Sequence, residues 1–210
     1  SGHTTANILG QIKGQKNKKI IIGAHFDHLG LSSEACRKYY NKDNICYGAD
    51  DNASGVSAVL ELARIFISLN KKPTYTLVFI LFSSEESGKE GSKFFLEHTS
   101  QEDIAFMFNF DMVGRLRENK LRAWGFGSST EGQQIIKSLK HDLILDYSDV
   151  LAPNSDHWFF YENSIPIGMF HTGLHDEYHS SRDKIETINF AGIKKIVTLT
   201  FTFLNQLMKK

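Results

Sequence analysis

The sequence predicts an α/β protein, a three-layer α/β/α sandwich whose central sheet is mostly parallel but mixed. Two observations support this prediction. Short apolar runs alternate with segments of helical periodicity, and the runs are apolar throughout, as in strands that are buried on both faces. The clearest run occupies residues 75–82 and is followed by two adjacent carboxylates, Glu85 and Glu86. The length of 210 residues, without a shift in composition, indicates one domain spanning residues 1–210.

Each predicted strand and helix shows the residue pattern typical of that type of secondary structure. Strands are predicted where runs of β-branched, aliphatic or aromatic residues end in small or polar ones, and helices where apolar residues recur three or four positions apart. The predicted strands are residues 18–24, 75–82, 104–110, 121–126 and 165–171. The predicted helices are residues 56–69, 91–98, 131–141 and 190–208. Residues 29–47 are polar and irregular and are expected to form a loop; its two cysteines, Cys36 and Cys46, form either a disulfide or two free thiols.

The overall charge and hydropathy exclude two classes of partner. The chain has 24 basic and 24 acidic residues, so it lacks the positive charge expected of a protein that binds nucleic acid. The longest apolar runs are too short, or too often interrupted by polar residues, to span a membrane. Nothing in the sequence sets the oligomeric state.

Residues suited to metal binding follow three predicted strands and two turns. The carboxyl ends of parallel strands meet at one edge of a sheet, where ligands bind. Two metal ions about 3.5 to 4 Å apart require a bridging carboxylate, two further carboxylates and two imidazoles. The candidate ligands are His25, Asp51, Glu86, Asp111 and His179. Asp27, two residues after His25, is expected to accept the second imidazole N–H and so orient the ring.

The motifs around these residues resemble those of the co-catalytic di-zinc aminopeptidases, whose relatives include glutamate carboxypeptidases and glutaminyl cyclases. The motifs are G-A-H-F-D-H, G-A-D-D-N-A-S-G, S-S-E-E-S-G, N-F-D-M-V-G-R, S-D-H-W and Y-H. The resemblance implies two Zn²⁺ ions bridged by Asp51. His25 and Asp111 would complete one site, and Glu86 and His179 the other.

The resemblance also implies an activity. The protein would be a hydrolase that removes N-terminal residues from peptides with a free N-terminus, using a water held between the zinc ions. Glu85 resembles the general base of that reaction. Tyr178 directly precedes His179, as in some secreted members, and would stabilise the oxyanion. The bond between Asp51 and Asn52 is predicted to be cis, and the location to be secreted or periplasmic.

Three other functions fit parts of the sequence. A single-zinc protease of the H-E-x-x-H type is suggested by His175 and His179, although the second position is Asp176 rather than Glu. A glutaminyl cyclase would share the fold but use one zinc ion, and a binding module would keep the fold without catalysis. Among the other residues, Asp50 is expected to be a turn residue and Asp156 to orient site groups. Hydrogen bonding or lining of the cleft is expected for four further histidines: His28, His157, His171 and His175.

Overall fold

The computed structural model describes residues 4–31, 36, 45–149 and 151–209 of the chain. In chain order the strands are β1 (Ile8–Ile12), β2 (Lys16–His25), β3 (Gly30–Leu31), β4 (Ile45–Cys46), β5 (Tyr75–Phe82), β6 (Ile104–Phe110), β7 (Lys120–Trp124), β8 (Ile144–Ser148) and β9 (Ile167–His171). The helices are α1 (Gly55–Ser68), α2 (Glu90–Glu97), α3 (Thr130–Ser138), α4 (His157–Glu162) and α5 (Phe190–Leu207).

Seven strands form one mixed sheet in the order β1-β5-β2-β6-β9-β7-β8. Its centre, β5-β2-β6-β9, is parallel throughout. The antiparallel pairs are β1 with β5 at one edge and β7 with β9 towards the other. This arrangement confirms the predicted fold class, a mostly parallel but mixed sheet.

Helices cover both faces of the sheet, which explains why the central strands are apolar throughout. Along β2, Ile20 and Ile22 point into a core that α1, α3 and α5 cover. The intervening Ile21 points into a second, smaller core that contains residues of α2 and α4. Alternate side chains of a strand lie on opposite faces, so a strand between two helical layers needs apolar residues at every position.

The nine predicted elements are all present, and the structure adds others. β1, β8 and the short helix α4 were not predicted. The segment 29–47, predicted as a loop, contains the two-stranded β3-β4 ribbon, and Cys36 and Cys46 form a disulfide. Residues 32–35 and 37–44 of that segment lie outside the described residues. Among the described residues no helix has the length and apolar character needed to cross a lipid bilayer.

Candidate metal centre

Three neighbouring strands bring acidic and imidazole side chains to one edge of the sheet. β2 ends at His25, β5 ends shortly before Glu85 and Glu86, and β6 ends directly before Asp111. β2 pairs in parallel with both β5 and β6, so the three carboxyl ends adjoin. His25 Nε2 lies 3.5 Å from Asp111 Oδ1, and both side chains are almost fully buried. The prediction that these strand ends meet is confirmed.

Asp51 lies between two imidazoles. It is carried by the turn Ala49–Ser54, which leads directly into α1. Its Oδ1 atom lies 3.3 Å from His25 Nε2, and its Oδ2 atom lies 3.1 Å from Nε2 of His179. Each carboxylate oxygen of Asp51 therefore faces a different histidine, on opposite sides of one side chain.

The conformation of this turn is fixed by its neighbour Asn52. The peptide bond between Asp51 and Asn52 is cis, as predicted. The Asn52 side chain donates a hydrogen bond to the Phe110 carbonyl at 2.9 Å and accepts one from the Met112 N–H at 3.1 Å. Phe110 and Met112 are the two sequence neighbours of Asp111. The two hydrogen bonds therefore fix the turn relative to the end of β6.

Glu86 is the last of the predicted metal ligands and lies next to His179. Its Oε2 atom lies 3.3 Å from His179 Nε2. His179 follows β9 in the loop 172–183 and has a left-handed backbone conformation with φ of 53°. The five residues predicted as ligands thus form one continuous cluster.

A buried network of hydrogen bonds, which the sequence did not predict, fixes the backbone of the turn that carries Asp51. The Asp183 carboxylate, which is 0% exposed, accepts the main-chain N–H of Asp50 at 2.9 Å and that of Asp51 at 3.0 Å. Nη2 of Arg115 lies 3.3 Å from the other Asp183 oxygen. Asp183 therefore positions the backbone of the turn, and no spacing in the sequence indicated this role.

The same network extends to the loop that carries His179. Arg115 Nη1 lies 3.3 Å from Glu177 Oε2, and His175 Nδ1 lies 3.2 Å from that same oxygen. His175 Nε2 lies 3.1 Å from Asp50 Oδ2. Asp50, expected to be a turn residue, also accepts the Gly114 N–H at 2.6 Å. The turn and the loop are therefore joined by charged hydrogen bonds.

The contacts of His175 argue against the single-zinc protease of the H-E-x-x-H type. His175 faces Asp50, whereas His179 faces Asp51 and Glu86. Residues 175–179 form turns rather than a helix. The two histidines therefore do not lie one turn apart on a helix, as that motif requires.

Asp27 acts in a different way from the one expected. His25 Nδ1 lies 3.0 Å from the main-chain carbonyl oxygen of Asp27, whereas the nearer carboxylate oxygen is 3.8 Å away. The carboxylate instead accepts the N–H groups of Glu85 at 3.0 Å and Glu86 at 3.2 Å. The reason is that the chain turns after β2 and brings the carbonyl of Asp27, rather than its side chain, to the imidazole of His25. Asp27 thereby fixes the backbone of both glutamates.

Glu85 lies among acidic groups in a largely buried position. Burial, opposed in part by His25 and supported by Asp111 and Asp156, raises the pKa of Glu85 to about 9. A cation held by the neighbouring carboxylates would act in the opposite direction and favour the charged form of this carboxyl group. The charge state of Glu85 therefore depends on whether a cation lies beside it.

Tyr178 stacks on His179, with 3.8 Å between the ring centroids. Burial and the nearby Asp51 and Glu86 raise its pKa above the usual value. The phenol therefore keeps its proton at neutral pH and remains a hydrogen-bond donor. It adjoins the same carboxylates that surround His179.

The charges of the cluster fit a bound cation. Burial works against the carboxylate of Asp51, but hydrogen bonds from His179 and His25 lower its pKa. Burial likewise opposes the charged form of His179, yet hydrogen bonds with Asp51 and Glu86 raise its pKa to about 9. Buried carboxylates are stable only when paired with positive charge. Mixed oxygen and imidazole ligands are those that zinc binds, so the donor set fits that metal.

Three further histidines and Asp156 differ in their surroundings. His171 stacks against Trp124 with 5.9 Å between centroids, and burial lowers its pKa. His157 is fully buried, which lowers its pKa to about 4. His28, which the sequence placed outside the metal site, lies beside Glu86. Asp156 is also fully buried, and burial raises its pKa to about 7.

The chain is similar to known peptidases in sequence and in fold. Peptidase family M28 matches residues 7–204. Aminopeptidase YwaD of Bacillus subtilis (strain 168) is 27% identical over 227 residues, covering 100% of this chain and 46% of that protein. BSAP, a zinc aminopeptidase from Bacillus subtilis, is similar with a TM-score of 0.77 at 25% identity, over 96% of this chain and 50% of that one. Bacteroides thetaiotaomicron glutaminyl cyclase, at 22% identity and a TM-score of 0.73 over 95% and 76% of the two chains, shares the fold. The chain spans about half the length of both aminopeptidases.

Proposed function

The chain belongs to peptidase family M28, and from this premise we propose that it is a metal-dependent aminopeptidase that uses two zinc ions. Its substrate would be a peptide with a free N-terminus, from which it hydrolyses the N-terminal residue. Residues 1–210 would act as a single catalytic domain. The relatives named above as aminopeptidases, one of them a zinc enzyme, support the reaction class and the metal.

One observation carries the proposal: the two oxygens of Asp51 face two different imidazoles. Their distances of 3.3 Å to His25 and 3.1 Å to His179 suit a carboxylate shared by two metal positions. Asp111 adds a carboxylate on the first side, and Glu86 adds one on the second. A single-zinc site would leave one of these carboxylates without a cation.

The residues of the chain would divide the chemistry as follows. His25, Asp51, Glu86, Asp111 and His179 would hold two zinc ions, which would supply polarisation of the scissile carbonyl and a lowered pKa of water at the site. Glu85 would take a proton from the attacking water and return it to the leaving amine. Tyr178 would donate a hydrogen bond to the oxygen that becomes negative in the tetrahedral intermediate. Asp27 would hold Glu85 in place through the main-chain N–H groups that its carboxylate accepts.

A secreted or periplasmic location is part of the proposal. The disulfide between Cys36 and Cys46 supports it, because disulfides form and persist in oxidising compartments. Neither a nucleic acid nor a membrane is proposed as a partner.

Metal analysis combined with a substrate panel tests this function. Purified protein reconstituted with zinc should contain two equivalents and hydrolyse at least one of a series of aminoacyl nitroanilides. Removal of the metal by a chelator should abolish the activity, and zinc should restore it. An N-terminal glutamine peptide added to the panel identifies a cyclase by its cyclic product. Two bound zinc ions with no hydrolysis of any peptide would instead indicate a non-catalytic relative.

A further inference from the structure

His28 lies close to the proposed metal position that Asp51, Glu86 and His179 share, called here the metal position of Glu86. Its Nδ1 atom is 3.0 Å from Glu86 Oε1 and 3.9 Å from Asp51 Oδ2. The side chain is only 9% exposed, and its ring meets the ring of His179 edge-on with 5.9 Å between centroids. Two imidazoles therefore flank one glutamate.

The two imidazoles divide the oxygens of Glu86 between them. His28 approaches Oε1, whereas His179 approaches Oε2 at 3.3 Å, and both face the same Oδ2 atom of Asp51. Neither ring obstructs the other. A single cation between Asp51 and Glu86 would therefore have an imidazole nitrogen on each side.

The separations are those of ligands on one ion. Zinc lies about 2.0 to 2.2 Å from nitrogen and oxygen ligands, so neighbouring ligand atoms on one ion lie roughly 3 to 4 Å apart. The distances from His28 Nδ1, 3.0 and 3.9 Å, fall in that range. One ligand atom each from His28, Asp51 and Glu86 lies within 4.8 Å of the others.

The turn before Asp51 leaves room for this ring. Gly48 has φ of +67°, and a Cβ atom there would lie 2.3 Å from the Asp51 carbonyl oxygen and 2.5 Å from Cγ of His28. A larger residue at position 48 would therefore clash with both the turn and the imidazole. Glycine at this position lets the turn and the ring of His28 lie next to each other.

We propose that His28 is a nitrogen ligand of the metal ion at Glu86. This inference rests on the proposed function, because it concerns the same metal centre. It makes the two positions unequal: the ion at Glu86 has two imidazoles, His28 and His179, and the ion at Asp111 has one, His25. Imidazole-rich sites favour zinc, copper and nickel, whereas carboxylate-rich sites favour manganese and magnesium. Mixed loading with zinc and manganese should therefore place zinc at Glu86 first.

Metal titration of the apoprotein tests the proposal independently of activity. One sample of the wild-type apoprotein is titrated with Zn²⁺ against a chromophoric chelator. A separate sample is titrated with Co²⁺, whose visible absorption reports its coordination. His28→Ala should weaken one of the two equivalents by more than about 100-fold, since loss of an outer-shell partner alone costs about 10- to 100-fold. The cobalt spectrum of that equivalent should change, while the other equivalent stays as in the wild type.

His28→Asn separates direct ligation from support of Glu86. The asparagine amide can still donate a hydrogen bond to Glu86 Oε1 but supplies no imidazole nitrogen, so the affinity should remain low. Recovery of wild-type affinity in His28→Asn, or an unchanged affinity in His28→Ala, would overturn the proposal. The control is His98→Ala, which changes an exposed histidine directly after the end of α2. A wild-type protein that binds no metal would overturn the proposed function, whereas equal affinities of wild type and both variants would overturn only the role of His28.

Discussion

Replacing Asp183 by alanine is expected to destabilise the fold strongly and to disorder Asp51. The substitution leaves two buried main-chain N–H groups, those of Asp50 and Asp51, without their acceptor and removes the carboxylate beside Arg115. Each hydrogen bond to a charged group contributes about 1.5 to 3 kcal/mol. Loss of the two N–H bonds therefore predicts a decrease of about 3 to 6 kcal/mol in the free energy of unfolding, a large part of the stability of an ordinary domain.

Asp183→Asn should have a smaller effect, because the amide keeps one oxygen as an acceptor for the N–H groups. Burial raises the pKa of Asp183, so removing its charge also removes a desolvation cost. Urea denaturation of the metal-free protein measures both variants. Asp142→Asn, which breaks an exposed ion pair with Lys195, is the matched control and should leave the transition unchanged. If Asp183→Ala unfolds at the same urea concentration as this control, the network does not support the turn.

The remaining predictions concern the site. Glu85→Gln should retain both zinc equivalents yet reduce turnover by about 10² to 10⁴ or more, and a wild-type kcat would refute its role as general base. Tyr178→Phe should lower kcat by about 10² to 10³ with KM unchanged; an effect on KM alone would leave a packing role. In metal-free protein, His179 has a pKa raised to about 9, so its stabilising contribution is complete below about 6.5 and lost as pH rises through 9. Glu85, whose pKa is also raised to about 9, acts in the same direction, and thermal melting across that range should show the decline.

The central strands could be predicted because burial on both faces gives them an apolar sequence. Every position of a strand covered on both faces must be apolar, so residues 75–82 were recognisable without any partner. β1 gives no such signal. Its residues Ile8–Ile12 are mostly exposed, and the strand exists because it pairs with β5 at the sheet edge. β8 is likewise an exposed edge strand, held by its pairing with β7.

The same distinction applies to the site. His25, Glu85 and Asp111 were found because each lies where a predicted strand ends, and such ends adjoin in a parallel sheet. Asp183 was not found, because it acts on the backbone of a turn 132 residues away and belongs to no predicted element. The orientation of Asp27 depends on the path of the chain after β2, which spacing alone does not determine.

Anomalous diffraction from a crystal of the zinc-loaded protein tests the central claim most directly. Two zinc peaks are predicted on either side of Asp51, about 3.5 to 4 Å apart. One should contact His25 and Asp111, and the other Glu86 and His179. A single peak, or two peaks of which only one contacts Asp51, would contradict the account.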